Sequence, residues 1–91
     1  MTFAELNPAL RAKLEQLGMD AGSMWSEGFR EERGRDPEPE ECDEMADTVA
    51  QRLARRARKI LAAESIEADD ALVEEIRVII FQKFIDFSQD G

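Results

Sequence analysis

The chain has 91 residues, enough for one hydrophobic core and therefore one domain. Its 12 Lys and Arg residues against 21 Asp and Glu residues give a formal net charge of -9, which disfavours duplex nucleic acid and anionic membranes as general partners. It contains no histidine and no tyrosine, so the commonest general base and the commonest transition-metal ligand are missing. We therefore predict no enzymatic activity, no cofactor and no metal ion.

The sequence also bears on the compartment. The first five residues contain no basic segment followed by an apolar run, so they do not read as a secretory signal. The longest uninterrupted apolar runs, such as residues 78–81, are far shorter than the roughly 20 residues of a membrane span. Cys42 is the only cysteine, which rules out a disulfide within the chain and fits a reducing compartment. We expect a soluble, cytoplasmic protein.

The N-terminal third predicts two short helices. Asn7 can cap the first helix and Pro8 fits its first turn, and apolar residues then recur at helical spacing up to Gly18, which we interpret as the stop. A second short helix is predicted over residues 23–33, with Gly34 at its C-terminal end.

Two long helices are predicted after a proline-containing connector at residues 35–39. The third helix extends to about residue 63, and the fourth begins after Asp69 or Asp70, either of which can cap it. The stripe predicted to be buried in the third helix consists of Ala46, Val49, Leu53, Ala57 and Ile60.

These elements predict an all-α fold, a small bundle of about four helices in a single domain spanning residues 1–91. Short N-terminal helices occupy residues 1–34 and a long helix pair occupies residues 40–88. Because a short loop joins the long helices, we expect an antiparallel hairpin with the short helices lying across it.

The fourth helix is apolar on two faces. One broad stripe contains Leu72, Val73, Ile76, Ile79, Ile80, Phe84 and Phe87. Val78, Phe81 and Ile85 line up nearly opposite. A short chain has few other elements to cover both faces, so we expect one face to meet a second copy of the chain, although the sequence does not determine which. Lys83 lies in the broad stripe, where it can extend its amine to solvent or pair with an acid across an interface.

The third helix divides by charge, with acids in its first half and bases in its second. The helix dipole alone favours this order. In an antiparallel dimer the same order sets each acidic half against the other copy's basic half, which helps to fix register. We therefore predict Val78, Phe81 and Ile85 as the hydrophobic contact of a homodimer, with Arg52, Arg55, Arg56 and Lys59 as its charged rim.

The resulting prediction is a non-catalytic protein interaction module that acts as an adaptor, a regulator or a small subunit of an assembly. One alternative is a nucleic-acid-associated regulator that grips phosphates with the basic cluster at residues 52–59. Another is an acidic inhibitor that competes with nucleic acid for a basic groove.

A further alternative comes from carboxylate spacing. Glu41, Glu44 and Asp47 recur every third residue, and Glu64, Glu67 and Asp70 follow at the next helix break. This pattern is similar to that of all-α nucleotide pyrophosphohydrolases, whose paired acidic helices hold magnesium, and it implies a magnesium-dependent nucleotide hydrolase. Geometry argues against this alternative, because the first three acids project away from the apolar stripe and the second three fall where the helix breaks.

Overall fold

A computed structural model describes residues 1–89 and contains within them a short 3-10 helix, Phe3–Glu5, and three α-helices. These are α1 (Pro8–Arg33), α2 (Pro39–Ala63) and α3 (Asp70–Gln89). The predicted all-α class is confirmed, but the expected number of four helices is wrong. The predicted domain extends to residue 91, and its last two residues lie outside the described range.

The ends of α1 follow from local chemistry. The Asn7 side chain accepts a hydrogen bond from the Leu10 N–H at 2.9 Å, which satisfies one of the free donors of the first turn. Gly34 adopts the left-handed conformation with φ of 70° and donates its N–H to the Arg30 carbonyl at 2.8 Å. Both the predicted start at Asn7 and the predicted stop at Gly34 are confirmed.

The predicted stop at Gly18 is wrong, because α1 continues through it without a break. Gly18 is glycine for a different reason: a Cβ there would lie 2.7 Å from the Ile80 carbonyl oxygen of α3. One turn later, a Cβ at Gly22 would lie 2.5 Å from the Phe84 carbonyl oxygen. The two short helices predicted over residues 1–34 are therefore one long helix whose glycines let it approach the backbone of α3.

The two remaining junctions also have defined caps. The N–H of Glu38, which precedes α2, donates to the Glu41 carboxylate at 2.9 Å. After α2, Ser65 has a positive φ of 61° and the Ile66 N–H returns to the Leu61 carbonyl, which ends the helix. Asp69 then caps α3 by accepting a hydrogen bond from the Leu72 N–H at 2.8 Å. Of the two caps predicted, Asp69 and Asp70, the first is therefore the one that forms.

The central element is α3, which packs against both α1 and α2, whereas those two helices contact each other only sparsely. The predicted pairing of the two C-terminal helices is confirmed. The prediction that the N-terminal segment lies across them is wrong, since α1 runs beside α3 over much of its length. Two contacts mark the course of α1, Glu15 to Lys83 and Gly22 to the Phe84 backbone. The 3-10 helix before α1 also reaches α3, because the Phe3 N–H donates to the Glu75 carboxylate.

The residues of α2 that face α3 are mostly small. The buried row consists of Cys42, Ala46, Ala50, Ala54, Ala57 and Leu61. The predicted stripe is correct at Ala46 and Ala57, but Val49, Leu53 and Ile60 are only half-buried. The difference arises because small side chains let two helices approach closely, so alanines lie at the line of closest contact and the larger residues lie beside it.

None of the helices within residues 1–89 combines the length and the apolar character that crossing a bilayer requires.

Candidate functional site

The two apolar faces of α3 are both partly covered within one chain. Leu72, Ile76, Ile80 and Phe84 of the broad stripe are buried, whereas Phe87 at the end of that stripe is 40% exposed. On the opposite face Val78 is 39% exposed, and the other two predicted contact residues, Phe81 and Ile85, are half-buried. The second face therefore keeps an exposed apolar edge, with Val78 as its most accessible member.

That edge borders a groove between α2 and α3, which we call the α2–α3 groove. It has a volume of about 370 Å³ and is lined by Asp47, Arg77, Val78, Phe81 and Gln82. The third predicted contact residue, Ile85, is not part of the lining. The groove is an apolar strip with a charged border, where Asp47 and Arg77 lie close to each other.

Arg77 organises the charged side of the groove. Its guanidinium donates two hydrogen bonds to the Glu74 carboxylate, of 2.9 and 2.6 Å, and lies 3.8 Å from Asp47 of α2. The hydrogen bonds lower the pKa of Glu74 and raise that of Arg77, since each group stabilises the charged form of the other. Both groups thus stay ionised over the neutral range, and Arg77 joins α3 to α2.

The four residues predicted as a charged rim do not line the groove. Arg52, Arg55, Arg56 and Lys59 are exposed and form no ion pair with another residue of the 1–89 range. None of these four lines the α2–α3 groove, whose charged residues are Asp47 and Arg77. Their neighbour Arg58 differs, because it pairs with Asp70 at 2.9 Å.

The acids of α2 do not form a metal-binding cluster. Glu41 is held by Arg35 at 3.0 Å, and this contact together with the Glu38 N–H lowers the pKa of Glu41. Asp47 is directed to Arg77 instead. Across the described part of the chain, no three His, Cys, Asp or Glu side chains lie close enough to hold a metal ion.

A second cleft lies where the end of α1 faces the start of α2. Its volume is about 380 Å³ and its lining includes Trp25, Phe29, Met45 and Glu44. Trp25 joins this cleft to the core, with its ring centroid 5.6 Å from that of Phe84. The sequence signal for this cleft is the pair of aromatic residues Trp25 and Phe29, which lie one turn apart near Gly34.

Two isolated residues also have defined surroundings. The amine of Lys83 lies 3.6 Å from the Glu15 carboxylate, so the charge in the apolar stripe is paired within the chain. Cys42 is fully buried as a free thiol in the row that faces α3.

Comparison with known proteins finds no matching family model, no matching curated protein and no matching solved structure.

Proposed function

We propose that the chain is a non-catalytic protein interaction module that works as a homodimer. The observation that supports this proposal is the α2–α3 groove, an apolar strip of about 370 Å³ in which Val78 is 39% exposed. Exposed apolar surface bordered by polar residues is typical of a protein contact. Phe81 and Ile85 extend the same face of α3 and complete the proposed hydrophobic contact.

A second copy is the occupant that we propose for the groove, and the charges at its border do not oppose it. The groove is bordered by one acid, Asp47, and one base, Arg77. Because Asp47 and Arg77 pair with each other within the chain, neither charge is left to repel its own kind in a second copy. Arg52, Arg55, Arg56 and Lys59 are exposed on α2 and serve in this proposal as the charged surroundings of the contact.

The proposal places the dimer in the cytoplasm. Its support is Cys42, a single free thiol that is fully buried and needs no oxidising environment. The chain is an adaptor, a regulator or a small subunit in this reading, and the absence of histidine and tyrosine from its sequence favours a role without catalysis.

The test is the solution mass, measured by light scattering at two protein concentrations. We expect the wild-type chain to be a dimer and Val78→Asp to be a monomer, because a buried carboxylate without a partner opposes association. Phe81→Asp should act in the same direction. Phe87→Asp is the matched control, since Phe87 is as exposed as Val78 but lies outside the lining of the groove, and it should remain a dimer.

A monomeric wild-type chain at both concentrations would contradict the proposed dimer. A dimer that persists in Val78→Asp and Phe81→Asp, with circular dichroism showing both variants folded, would contradict the groove as its contact.

A second candidate function is nucleic-acid binding through the basic cluster, favoured by four exposed cations that are unpaired within residues 1–89. Titration of a fluorescent duplex with the wild-type protein at low and moderate salt decides it. Binding that weakens steeply with salt would support this function, and no binding at low salt would remove it.

A further inference from the structure

The cleft between the end of α1 and the start of α2, which we call the Trp25 cleft, has two walls of different chemistry. The α1 wall carries the half-buried rings of Trp25 and Phe29. The α2 wall carries Met45 and the carboxylates of Glu41 and Glu44. The volume of about 380 Å³ lies within the range of about 300–1,000 Å³ that is typical of ligand pockets. Aromatic rings beside carboxylates favour a cation, because the ring face and the acid both attract positive charge.

The chain's own Arg35 shows how this combination holds a cation. Its guanidinium carbon lies 5.0 Å from the centroid of the Phe29 ring. Its nitrogens donate two hydrogen bonds to the Glu41 carboxylate, of 3.0 and 3.3 Å. A ring face and a carboxylate thus bind one guanidinium together. Arg33 also lies over Phe29, with its guanidinium carbon 5.2 Å from the ring centroid, so Phe29 and Glu41 are already engaged within the chain.

The rest of the Trp25 cleft offers the same two kinds of group without a cation. No Lys or Arg within residues 1–89 stacks on Trp25, although indole is the side-chain ring that binds cations best. Glu32 on the α1 wall and Glu44 on the α2 wall form no ion pair with another described residue. The Trp25 ring is fixed in place, because it packs against Phe29 and Phe84 at centroid distances of 5.5 and 5.6 Å. One ordered ring and two carboxylates are therefore available to a cation from outside the chain.

We propose that the Trp25 cleft binds an arginine side chain from a basic segment of a partner protein. The guanidinium stacks on Trp25 and pairs with Glu44 and Glu32. Arginine suits the cleft better than lysine, because its planar group stacks on a ring and donates hydrogen bonds to a carboxylate at the same time. The net charge of -9 attracts a basic segment from a distance.

This site goes beyond the proposed homodimer and does not depend on it. The Trp25 cleft and the α2–α3 groove share no lining residue. A monomer presents one such cleft, and a dimer formed at the groove presents two.

The first test titrates the protein at low salt with a short synthetic peptide of alternating Arg and Gly. Trp25 is the only tryptophan of the chain, so its fluorescence reports on this cleft, and we expect a saturable change. The same peptide with citrulline in place of Arg keeps the shape and hydrogen-bond donors but lacks the charge. It should bind at least about tenfold more weakly. A peptide with Lys in place of Arg should bind about threefold more weakly.

The second test removes one carboxylate of the cleft. Glu44→Gln should weaken binding of the Arg peptide by about threefold to fivefold, the effect of losing one exposed ion pair. Asp43→Asn is the matched control, because it removes the same charge from the neighbouring exposed residue, which does not line the cleft. It should change the affinity by less than about twofold.

A third variant acts in the opposite direction. Arg35→Ala removes the guanidinium that engages Phe29 and Glu41, so the peptide gains a second place to bind and its affinity should rise by about threefold. Arg52→Ala removes the same charge from an exposed residue of α2 outside the cleft. Its effect should stay below about twofold.

Three results would overturn the proposal. One is that neither Trp25 emission nor the fluorescence anisotropy of a labelled Arg peptide changes up to millimolar peptide. The second is a citrulline peptide that binds as tightly as the Arg peptide, and the third is an equal loss of affinity in Glu44→Gln and Asp43→Asn. A loss confined to Glu44→Gln supports the site whether the protein's solution mass is that of a monomer or a dimer, so this test and the test of the homodimer fail independently.

Discussion

The carboxylate of Glu41 has two functions at the start of α2. It pairs with Arg35 and also accepts the N–H of Glu38, so one side chain both holds the connector and caps the helix. Both contacts stabilise the ionised carboxylate, and they lower its pKa below the ordinary glutamate value. A lowered pKa in the folded state means that this contribution to stability is complete above the ordinary glutamate pKa and is lost as the pH falls through the lowered value.

Glu41→Gln tests this link between charge and stability. Glutamine keeps an oxygen for the Glu38 N–H but removes the charge that pairs with Arg35, so we expect a lower melting temperature at pH 7. The difference from wild type should shrink as the pH falls below 4. Thermal unfolding followed by circular dichroism between pH 7 and pH 3 measures it.

Glu31→Gln provides the control for Glu41→Gln. It removes the same charge from an exposed residue of α1 that forms no ion pair within residues 1–89. Its effect on the melting temperature should be small. A Glu41→Gln difference that stays constant from pH 7 to pH 3 would contradict the assigned role of the charge.

At the scale of the helices, the close contact of α1 with α3 depends on glycine at defined places. Gly22→Ala would set a methyl group 2.5 Å from the Phe84 carbonyl oxygen, and neither helix backbone can yield without moving its neighbours. We expect the free energy of unfolding to fall by about 1–3 kcal/mol, the usual effect of overpacking. Urea denaturation measures the change.

Gly28→Ala is the matched substitution in the same helix. No atom lies within 4 Å of a Cβ at that position, so alanine should raise the free energy of unfolding by about 0.5–1 kcal/mol through helix propensity alone. Equal effects of the two substitutions would contradict the role of Gly22 in packing.

The ends of the helices could be predicted from the sequence, whereas the contact of α1 with α3 could not. Caps are local, and Asn7, Gly34 and Asp69 could be identified from their immediate neighbours. Gly18 follows an apolar row as a stop glycine does, but its reason lies in a helix more than 60 residues away along the chain. The spacing of Gly18, Gly22 and Ser26 at every fourth residue is the signal of close packing that the prediction overlooked.

The candidate site shows the same division between local and distant information. Helical spacing was enough to place Val78 and Phe81 on one face of α3. It could not place Asp47 beside them, because that contact depends on how α2 lies against α3. The second wall of the cleft at Trp25 could not be predicted for the same reason, since the two walls come from separate helices.

At the scale of the whole molecule, the three helices make an elongated body of 44 × 21 × 18 Å with one core along α3. Cys42 is fully buried in the contact of α2 with α3 and reports on the opening of that core. We expect its thiol to react with a soluble disulfide reagent about a hundredfold or more slowly in native buffer than in denaturing urea, because reaction requires local or global opening.

The reaction is followed by the absorbance of the thiolate that the disulfide reagent releases. Gly22→Ala, which loosens the packing of α3, should accelerate it, whereas Gly28→Ala should not. A native rate equal to the rate in urea would show that the α2–α3 contact is not closed in solution.

The central position of α3 has a consequence for folding during synthesis. A ribosome releases α1 and α2 before α3, and these two helices hardly touch each other. Until α3 emerges, the glycine row of α1 and the alanine row of α2 have nothing to pack against. These three helices therefore fold together only once α3 has emerged, because α3 assembles the other two around it.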